Sequence, residues 1–134
     1  YRATQCAEDE AIVRVEFALP RPGAHQVWRK VGTRAAQAIS KVALAAVVEL
    51  EGGRGVRAGF GMASVAPVTA SLPTVRALGL AASLAAVSDD ELDAATRRDI
   101  APIDDLRSTA AYRAHVAFAL VKNFFQELRT SGGP

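Results

Sequence analysis

Two pairs of adjacent aspartates are the first candidates for chemistry in this sequence. Asp89-Asp90 and Asp104-Asp105 could serve as paired carboxylates in acid–base catalysis or could hold a metal ion. Each pair, however, directly precedes a predicted helix, where free amide groups and the helix dipole favour a carboxylate. We therefore interpret both pairs as helix caps, since capping explains their position as well as their type.

The two histidines do not complete a nucleophilic site. Such a site needs a serine or cysteine within reach of a histidine, and a third group that orients it. His25 lies in a predicted turn and His115 lies beside the apolar stripe of the last predicted helix, so both are interpreted as structural or solvent-facing. Cys6 is the single cysteine, which excludes an internal disulfide and a cysteine-based metal site. No catalytic residue and no metal site are predicted.

A cluster of glycines has the composition of a phosphate-binding loop without its pattern. The glycines stand at positions 52, 53, 55, 59 and 61. No Gly-Lys-Ser/Thr follows them and no helix is predicted to begin there, so neither the nucleotide-binding loop nor the dinucleotide fingerprint applies. The cluster favours a β-hairpin turn over residues 52–55.

The stretch from Trp28 to Arg34 combines three cations with a glycine, at a predicted junction between strand and loop. A cationic edge beside a backbone that can be approached closely suits an anionic or electron-rich ligand. A solvated charged edge explains the same residues. On the residues alone both interpretations stay open.

Composition indicates one soluble globular domain. The chain has 134 residues, of which 50% are hydrophobic and 22% charged, with a net charge of +2 from 16 basic and 14 acidic residues. This balance argues against a nucleic-acid partner. The longest uncharged apolar run, residues 42–48, is too short for a membrane span. We expect a cytoplasmic protein whose N-terminus, at Tyr1, is cut from a longer chain.

The predicted elements that must position these residues are of two kinds. The apolar pattern has a period of two residues in the first half of the chain and a helical period in the second half. Alternation of Val13, Val15, Phe17 and Leu19 predicts a strand, which residues 20–23 end with turn chemistry. Further strands are predicted over 26–31, 41–51 and 56–65, and residues 33–40 form either a short helix or a loop.

The second half of the chain is predicted to be helical. Pro73 suits a first helical turn, and Ser88 with Glu91 forms a capping box. Asp104 or Asp105 is expected to cap the last helix, whose apolar stripe has helical spacing. The stripe comprises Ala114, Ala117, Phe118, Val121, Phe124, Phe125 and Leu128. The predicted fold is α+β, with an antiparallel sheet packed against a small C-terminal helical cluster.

Four blocks in order resemble the FAD-binding subunit of molybdenum hydroxylases, the family of xanthine dehydrogenase and carbon monoxide dehydrogenase. They are Tyr1-Arg2-Ala3-Thr4 with residues 9–13, Trp28–Arg34 with residues 38–42, Gly59–Pro67, and Pro102–Arg113. The resemblance extends from Tyr1 to about Leu128, and the first block favours xanthine dehydrogenase over carbon monoxide dehydrogenase. It implies the truncated end of the FAD-binding domain over residues 1–22, the flavoprotein C-terminal domain over 23–130, and a tail over 131–134.

The resemblance also implies a function and a site. In such enzymes a molybdenum centre hydroxylates the substrate, two iron–sulfur clusters carry the electrons, and FAD passes them to NAD or another acceptor. Ile12 matches an aliphatic residue that lies against FAD, and Lys30 matches a lysine that contacts the flavin end. Arg34 and Gln37 belong to the loop beside the isoalloxazine ring. The molybdenum cofactor and the 2Fe–2S clusters are expected in partner domains or subunits.

Three expectations qualify this assignment. The flavin loop carries Ala36, Gln37 and Ala38 where animal enzymes have acidic residues, so control of the flavin by charge in this loop is not expected. The isolated chain is expected to be inactive and to hold FAD weakly, since the family's glycine-rich pyrophosphate segments are not in it. Arg107 and Arg113 are expected to bridge to a neighbouring domain or subunit. The alternative is a non-catalytic binding or assembly module with the same fold.

Overall fold

A four-stranded antiparallel sheet carries all the helices on one of its faces. The computed structural model describes residues 5–34 and 38–131. The strands are β1 (His25–Val31), β2 (Val42–Glu51), β3 (Arg54–Ala63) and β4 (Ala70–Ser71), in the spatial order β1-β2-β3-β4. The helices are α1 (Pro73–Gly79), α2 (Asp89–Asp99) and α3 (Ala110–Ser131), with a 3-10 turn at Leu84–Ala86. The predicted α+β fold is confirmed.

The β2–β3 hairpin forms the centre of the sheet. Its turn requires glycine, because Gly52 and Gly53 have φ angles of 57° and 76°. Gly55 is the second residue of β3 and lies against the end of α1, where a Cβ would overlap the carbonyl oxygen of Gly79. The predicted turn is confirmed, and the glycines in it serve the hairpin and the approach of α1.

Alternation along the strands separates the two faces of the sheet. The face toward the helices carries the core side chains of β2 and β3, which are Val42, Leu44, Ala46, Val48, Ala58, Phe60 and Met62. The apolar stripe of α3 packs on them, with its Phe124 and Phe125 rings 5.9 and 6.1 Å from the ring of Phe60. Burying each Val, Leu, Phe or Met side chain of this core contributes roughly 1.5–3 kcal/mol.

The helix starts follow the sequence prediction, with one addition. Ser88 and Glu91 form the reciprocal capping box of α2, and Pro73 occupies the first turn of α1. At α3, Oδ1 of Asp104 accepts from the amide of Ala110 at 2.5 Å. The Thr109 hydroxyl also accepts, from Tyr112 N at 3.2 Å, which the sequence reading missed.

The predicted strand over residues 13–19 is wrong for this chain. Residues 11–20, which we call the extended segment, form neither helix nor strand, and every one of residues 11–19 is exposed. Val13 and Phe17, for example, are 91% and 79% exposed. A strand needs a partner as well as an alternating pattern, and within residues 5–34 and 38–131 none is hydrogen-bonded to this segment. Residues 33–34 and 38–40 are not helical, and the rest of that loop lies outside the described residues.

None of the helices in the described part of the chain combines the length and the apolar character needed to cross a membrane.

Candidate functional site

The sheet face opposite the helices is not covered by any described helix. We call it the open face and define it by Gln26, Trp28, Lys30, Ala43, Ala45, Val47, Gly59 and Gly61, which alternate with the core residues in register. Small residues dominate its centre: Ala45 pairs with Gly61, and Val47 pairs with Gly59. Trp28 stands at its edge and is 65% exposed. A planar group or another protein layer could approach this face closely.

A shallow cavity of about 560 Å³ lies over the open face. Phe17 and Pro20 of the extended segment line it on one side, and Trp28 and Gly59 line it on the other. The segment therefore runs across the open face without covering it.

Lys30 is the second-to-last residue of β1, which lies at one edge of the sheet. Its side chain is exposed and makes no ion pair or hydrogen bond with the described residues. Arg29, its neighbour, lies on the opposite side of the strand and donates to its own chain at Trp28 O, 3.2 Å away. Lys30 therefore supplies a solvent-facing cation on the open face.

The loop that follows Lys30 is closed at its base. The amide of Lys41 donates to Val31 O at 2.7 Å, so the two ends of the loop are joined across the start of β2. A Cβ at Gly32 would lie 3.1 Å from the Cβ of Ala38, which indicates a tight backbone approach at the same place. The loop thus starts and ends beside Lys30.

The other site residues expected from the sequence are more dispersed. Arg34 is exposed three residues beyond β1, at the same end of the sheet as Lys30. Ile12 lies on the extended segment and is 76% exposed, so it packs against no core in this chain. Gln37 lies outside the described residues. Lys30 and Arg34 lie at the same end of the sheet. Ile12 has no such position, and it could join a site only if another surface packed against it.

A buried carboxylate that the sequence reading missed holds the extended segment at its C-terminal end. Glu49 is 5% exposed, and its Oε1 accepts from the backbone amide of Arg21 at 3.2 Å. The guanidinium of Arg57 lies 3.4 Å from the same oxygen. Alternation along β2 puts Glu49 on the same face as Ala45 and Val47, where Arg21 and Arg57 lie against its carboxylate.

Arg113 is the second residue that sequence reasoning misjudged. It is 4% exposed, and its Nη1 donates to Lys41 O at 3.2 Å and to Ser64 O at 2.6 Å. Its Nη2 donates to Oδ1 of Asp105 at 2.6 Å. Arg113 thus joins the start of β2, the end of β3 and the turn before α3 inside one chain. The expectation that it bridges to a neighbouring domain is wrong, because burial and these internal acceptors occupy it.

Asp105 completes this cluster. Its Oδ1 also accepts from the backbone amides of Arg107 and Ser108, at 2.8 and 3.0 Å. These hydrogen bonds, with that of Arg107 foremost and the Arg113 guanidinium second, lower the pKa of the Asp105 carboxyl. Asp105 is therefore held as an anion that orders a turn, in keeping with its interpretation as a structural carboxylate.

No constellation for acid–base or metal chemistry forms in the part of the chain that the structure describes. His25 is on β1 and His115 is exposed on α3, and the two are in separate elements. Across residues 5–34 and 38–131, no three side chains of His, Cys, Asp or Glu come together as metal ligands. Asp89 instead pairs with Lys122 of α3 at 2.6 Å.

Comparison with known proteins decides the family. Residues 28–128 match the model of the CO dehydrogenase flavoprotein C-terminal domain, which is most of the chain. The chain belongs to this family. The match begins at Trp28 and so includes Lys30 and the loop after it, together with β2 to β4, α1, α2 and α3 as far as Leu128. No curated protein matches the chain significantly.

Solved structures share the fold of this family member at low identity. The reconstituted CO dehydrogenase of Oligotropha carboxidovorans superposes with a TM-score of 0.70 at 22% identity over 84% of the chain. A carbon monoxide dehydrogenase from Hydrogenophaga pseudoflava, which lacks the Mo-pyranopterin moiety of its cofactor, gives 0.67 at 21% identity over 88%. Quinoline 2-oxidoreductase from Pseudomonas putida 86 gives 0.66 at 16% over 85%. The chain spans 39%, 39% and 40% of these three chains.

Proposed function

We propose that this domain forms one wall of the flavin site in the FAD-binding subunit of a xanthine dehydrogenase-like molybdenum hydroxylase. The observation that carries the proposal is Lys30. It is an exposed cation on an edge strand, with no partner among residues 5–34 and 38–131, beside a loop closed at its base by the Lys41–Val31 hydrogen bond. The domain family is that of a flavoprotein, and the family match includes this region.

The residues present fit one side of a bound flavin. FAD, when bound, supplies a ring system that takes up electrons from the iron–sulfur clusters and passes them to NAD. Lys30 would place a positive charge near the N1/O2 edge of the ring, where a fixed cation favours the reduced, anionic form. Arg34 and Gln37 would lie along the same loop. The small residues of the open face leave room for the ring or for the domain that holds it.

The residues do not fit the pyrophosphate half of FAD. The glycines at 52, 53 and 55 are occupied by the hairpin turn and by the contact with α1, so their amides form no phosphate cradle. The proposal therefore assigns the phosphates to a preceding domain and predicts that the isolated chain is inactive.

The proposed domain division follows the same logic. Residues 1–22 would be the end of the FAD-binding domain, 23–130 the flavoprotein C-terminal domain, and 131–134 a tail. Exposure of Val13, Val15, Phe17 and Leu19 supports this division, because a row of apolar side chains at strand spacing suits a strand of another sheet. In that setting Ile12 would reach the flavin.

We also propose partner subunits and a cellular location for the enzyme that contains this domain. Iron–sulfur and molybdenum subunits would deliver electrons to the flavin, and NAD would accept them in a cytoplasmic enzyme. A Cu,Mo-containing CO dehydrogenase shares the fold of this chain, and Tyr1-Arg2-Ala3-Thr4 favours the xanthine dehydrogenase branch of the family.

A pair of neighbouring substitutions tests the role of Lys30. In the flavoprotein subunit that carries this domain, Lys30→Ala should weaken FAD binding or slow flavin reduction. Arg29→Ala is the matched control, since it removes the same charge from the opposite side of the same strand. Equal FAD affinity and equal reduction kinetics in both variants would reject Lys30 as a site residue and favour the assembly-module alternative.

A titration tests the division of the site. FAD fluorescence should change little when the isolated chain is added, because the phosphates find no cradle in it. Tight, stoichiometric quenching by this chain alone would contradict the proposed division of the flavin site.

A further inference from the structure

Two loops at one end of the sheet enclose a cavity of about 490 Å³ that the flavin proposal does not use. The loops span residues 64–69 and 101–107 and follow β3 and α2 respectively. We call the cavity the Arg107 pocket, and its walls include Pro67, Val68, Ile103, Arg107 and Arg113.

The pocket has a fixed floor. Arg113 is buried there and donates to Ser64 O and to Asp105, one on each loop. The loops are joined a second time by the amide of Ala101, which donates to Val65 O at 2.9 Å. The two loops are therefore held in place by the chain itself before anything binds.

The rim of the pocket is apolar and exposed to solvent. Val68 is 73% exposed and Ile103 is 68% exposed, on opposite loops. Large apolar side chains gathered around a cavity mark a binding surface more often than an inert one. A small molecule inside the cavity would leave this rim in water, whereas a polypeptide crossing it would cover both rim and cavity.

Among the charged groups that the structure describes at the pocket, one cation has no partner. Asp104 is engaged by the amide of Ala110, and Asp105 by two amides and Arg113. Arg107 is exposed, and its guanidinium has no hydrogen bond or ion pair with the described residues. Its planar fork matches a carboxylate through two parallel hydrogen bonds. The charge complement of the pocket is thus an acidic side chain.

We infer that the Arg107 pocket docks a segment of a partner polypeptide in which an acidic residue stands next to a large apolar one. The apolar side chain fills the cavity between Val68 and Ile103, and the carboxylate pairs with Arg107. The docking site does not depend on flavin binding. It lies at the sheet end where β1 stops and β2 starts, because Val31 pairs with Val42 and Ala43 pairs with Ala63. A partner seated here is therefore beside the loop that follows Lys30.

Selection from a random heptapeptide library displayed on phage, with the immobilised chain as target, tests the inference. The enriched peptides should share Asp or Glu directly beside Leu, Ile, Met or Phe. As synthetic peptides they should bind the chain about tenfold more tightly than its Arg107→Gln variant, the loss expected for a charge-assisted pair. Val68→Ser should weaken binding as well. Both side chains are exposed, so both variants should keep the wild-type circular dichroism.

Arg54→Gln is the matched control, since it removes an exposed arginine from the hairpin turn at the far end of β3. This variant should bind the peptides like the wild type. Three results would overturn the inference: no enriched sequence, enriched peptides without an acidic residue, or equal binding to the Arg107→Gln and Arg54→Gln variants. Self-association of the chain that Arg107→Gln abolishes, measured by sedimentation, would instead assign the pocket to a second copy.

Discussion

Arg113 donates a 2.6 Å hydrogen bond to the carbonyl of Ser64, and Ser64 has a φ of 68°. Among the described residues, Ser64 alone has a positive φ without being glycine. This left-handed conformation costs roughly 1–2 kcal/mol for a residue with a side chain. The conformation turns the chain out of β3 and presents its carbonyl to the buried guanidinium, so the arginine stabilises a turn that the local sequence disfavours.

Removing this guanidinium should destabilise the domain strongly. Arg113→Met leaves the carbonyls of Lys41 and Ser64 and the carboxylate of Asp105 without their buried donor, at a cost of about 3 kcal/mol. Arg113→Lys should recover only part of this loss, because an ammonium group lacks the planar fork that reaches several acceptors. Urea unfolding of both variants measures the effect.

The control is Arg98→Met, at an exposed position of α2, which should change the free energy of unfolding by less than about 0.5 kcal/mol. Similar values for Arg113→Met and Arg98→Met would show that the cluster contributes little.

Stability should depend on the ionisation of Asp105. Its hydrogen bonds with the Arg107 amide and Arg113 lower the pKa of its carboxyl below the ordinary 3.8, so the folded state favours the charged form. The resulting stabilisation is fully present above that value and is lost as the pH falls below it. The urea midpoint of the wild type should therefore exceed that of Asp105→Asn at pH 7, and the gap should narrow below about pH 4. Asp90→Asn controls for a change of net charge. A gap that stays constant down to pH 3 would contradict the prediction.

Substitution by alanine should change the stability of the domain much more at one glycine of β3 than at another. A Cβ at Gly55 would overlap the carbonyl oxygen of Gly79, a backbone atom that cannot turn aside. Gly55→Ala should cost about 2 kcal/mol or more, since the end of α1 must shift. At Gly61 the nearest atom is Cγ2 of Thr69 at 3.9 Å, an ordinary contact, so Gly61→Ala should change stability by less than about 1 kcal/mol. Thermal unfolding of both variants provides the measurement. Equal melting temperatures would show that α1 adjusts freely to the hairpin.

The segment before Pro20 should be dispensable for folding. Residues 11–19 are all exposed, and Glu49 anchors the chain only from Arg21 onward. A chain that begins at Pro20 should therefore unfold cooperatively, with a free energy within about 1 kcal/mol of the full chain. Urea unfolding followed by circular dichroism checks this. Loss of the cooperative transition would show that the extended segment is part of the domain's own core.

The sequence by itself determined the local elements and the family. Alternation of apolar residues defined β2 and β3, helical spacing defined the buried stripe of α3, and the Ser88–Glu91 box defined the start of α2. These signals depend on residues close together in the chain, which is why one sequence suffices to find them. The four blocks pointed to the flavoprotein C-terminal domain, and the family match confirmed it.

Of the candidate site, the sequence located the cationic stretch at Lys30 but not its surroundings. The structure added the open face and the closed base of the loop, through the pairing of Val31 with Val42 and the Lys41–Val31 hydrogen bond. It brought Lys30 and Arg34 to one end of the sheet and left Ile12 exposed elsewhere. Distances between residues far apart in sequence follow from packing, so no local pattern encodes them.

Tertiary structure alone decided where polar groups are buried and which strands exist. Arg113 looked like a surface cation because its type is usually exposed, but it contacts acceptors 49 and 72 residues away. The alternating residues 13–19 looked like a strand, but a strand requires hydrogen bonds from a neighbour. In both cases the local pattern indicated what the residues could do, and partners distant in sequence determined what they do. Such partners are present for Arg113, and within residues 5–34 and 38–131 they are missing for residues 13–19.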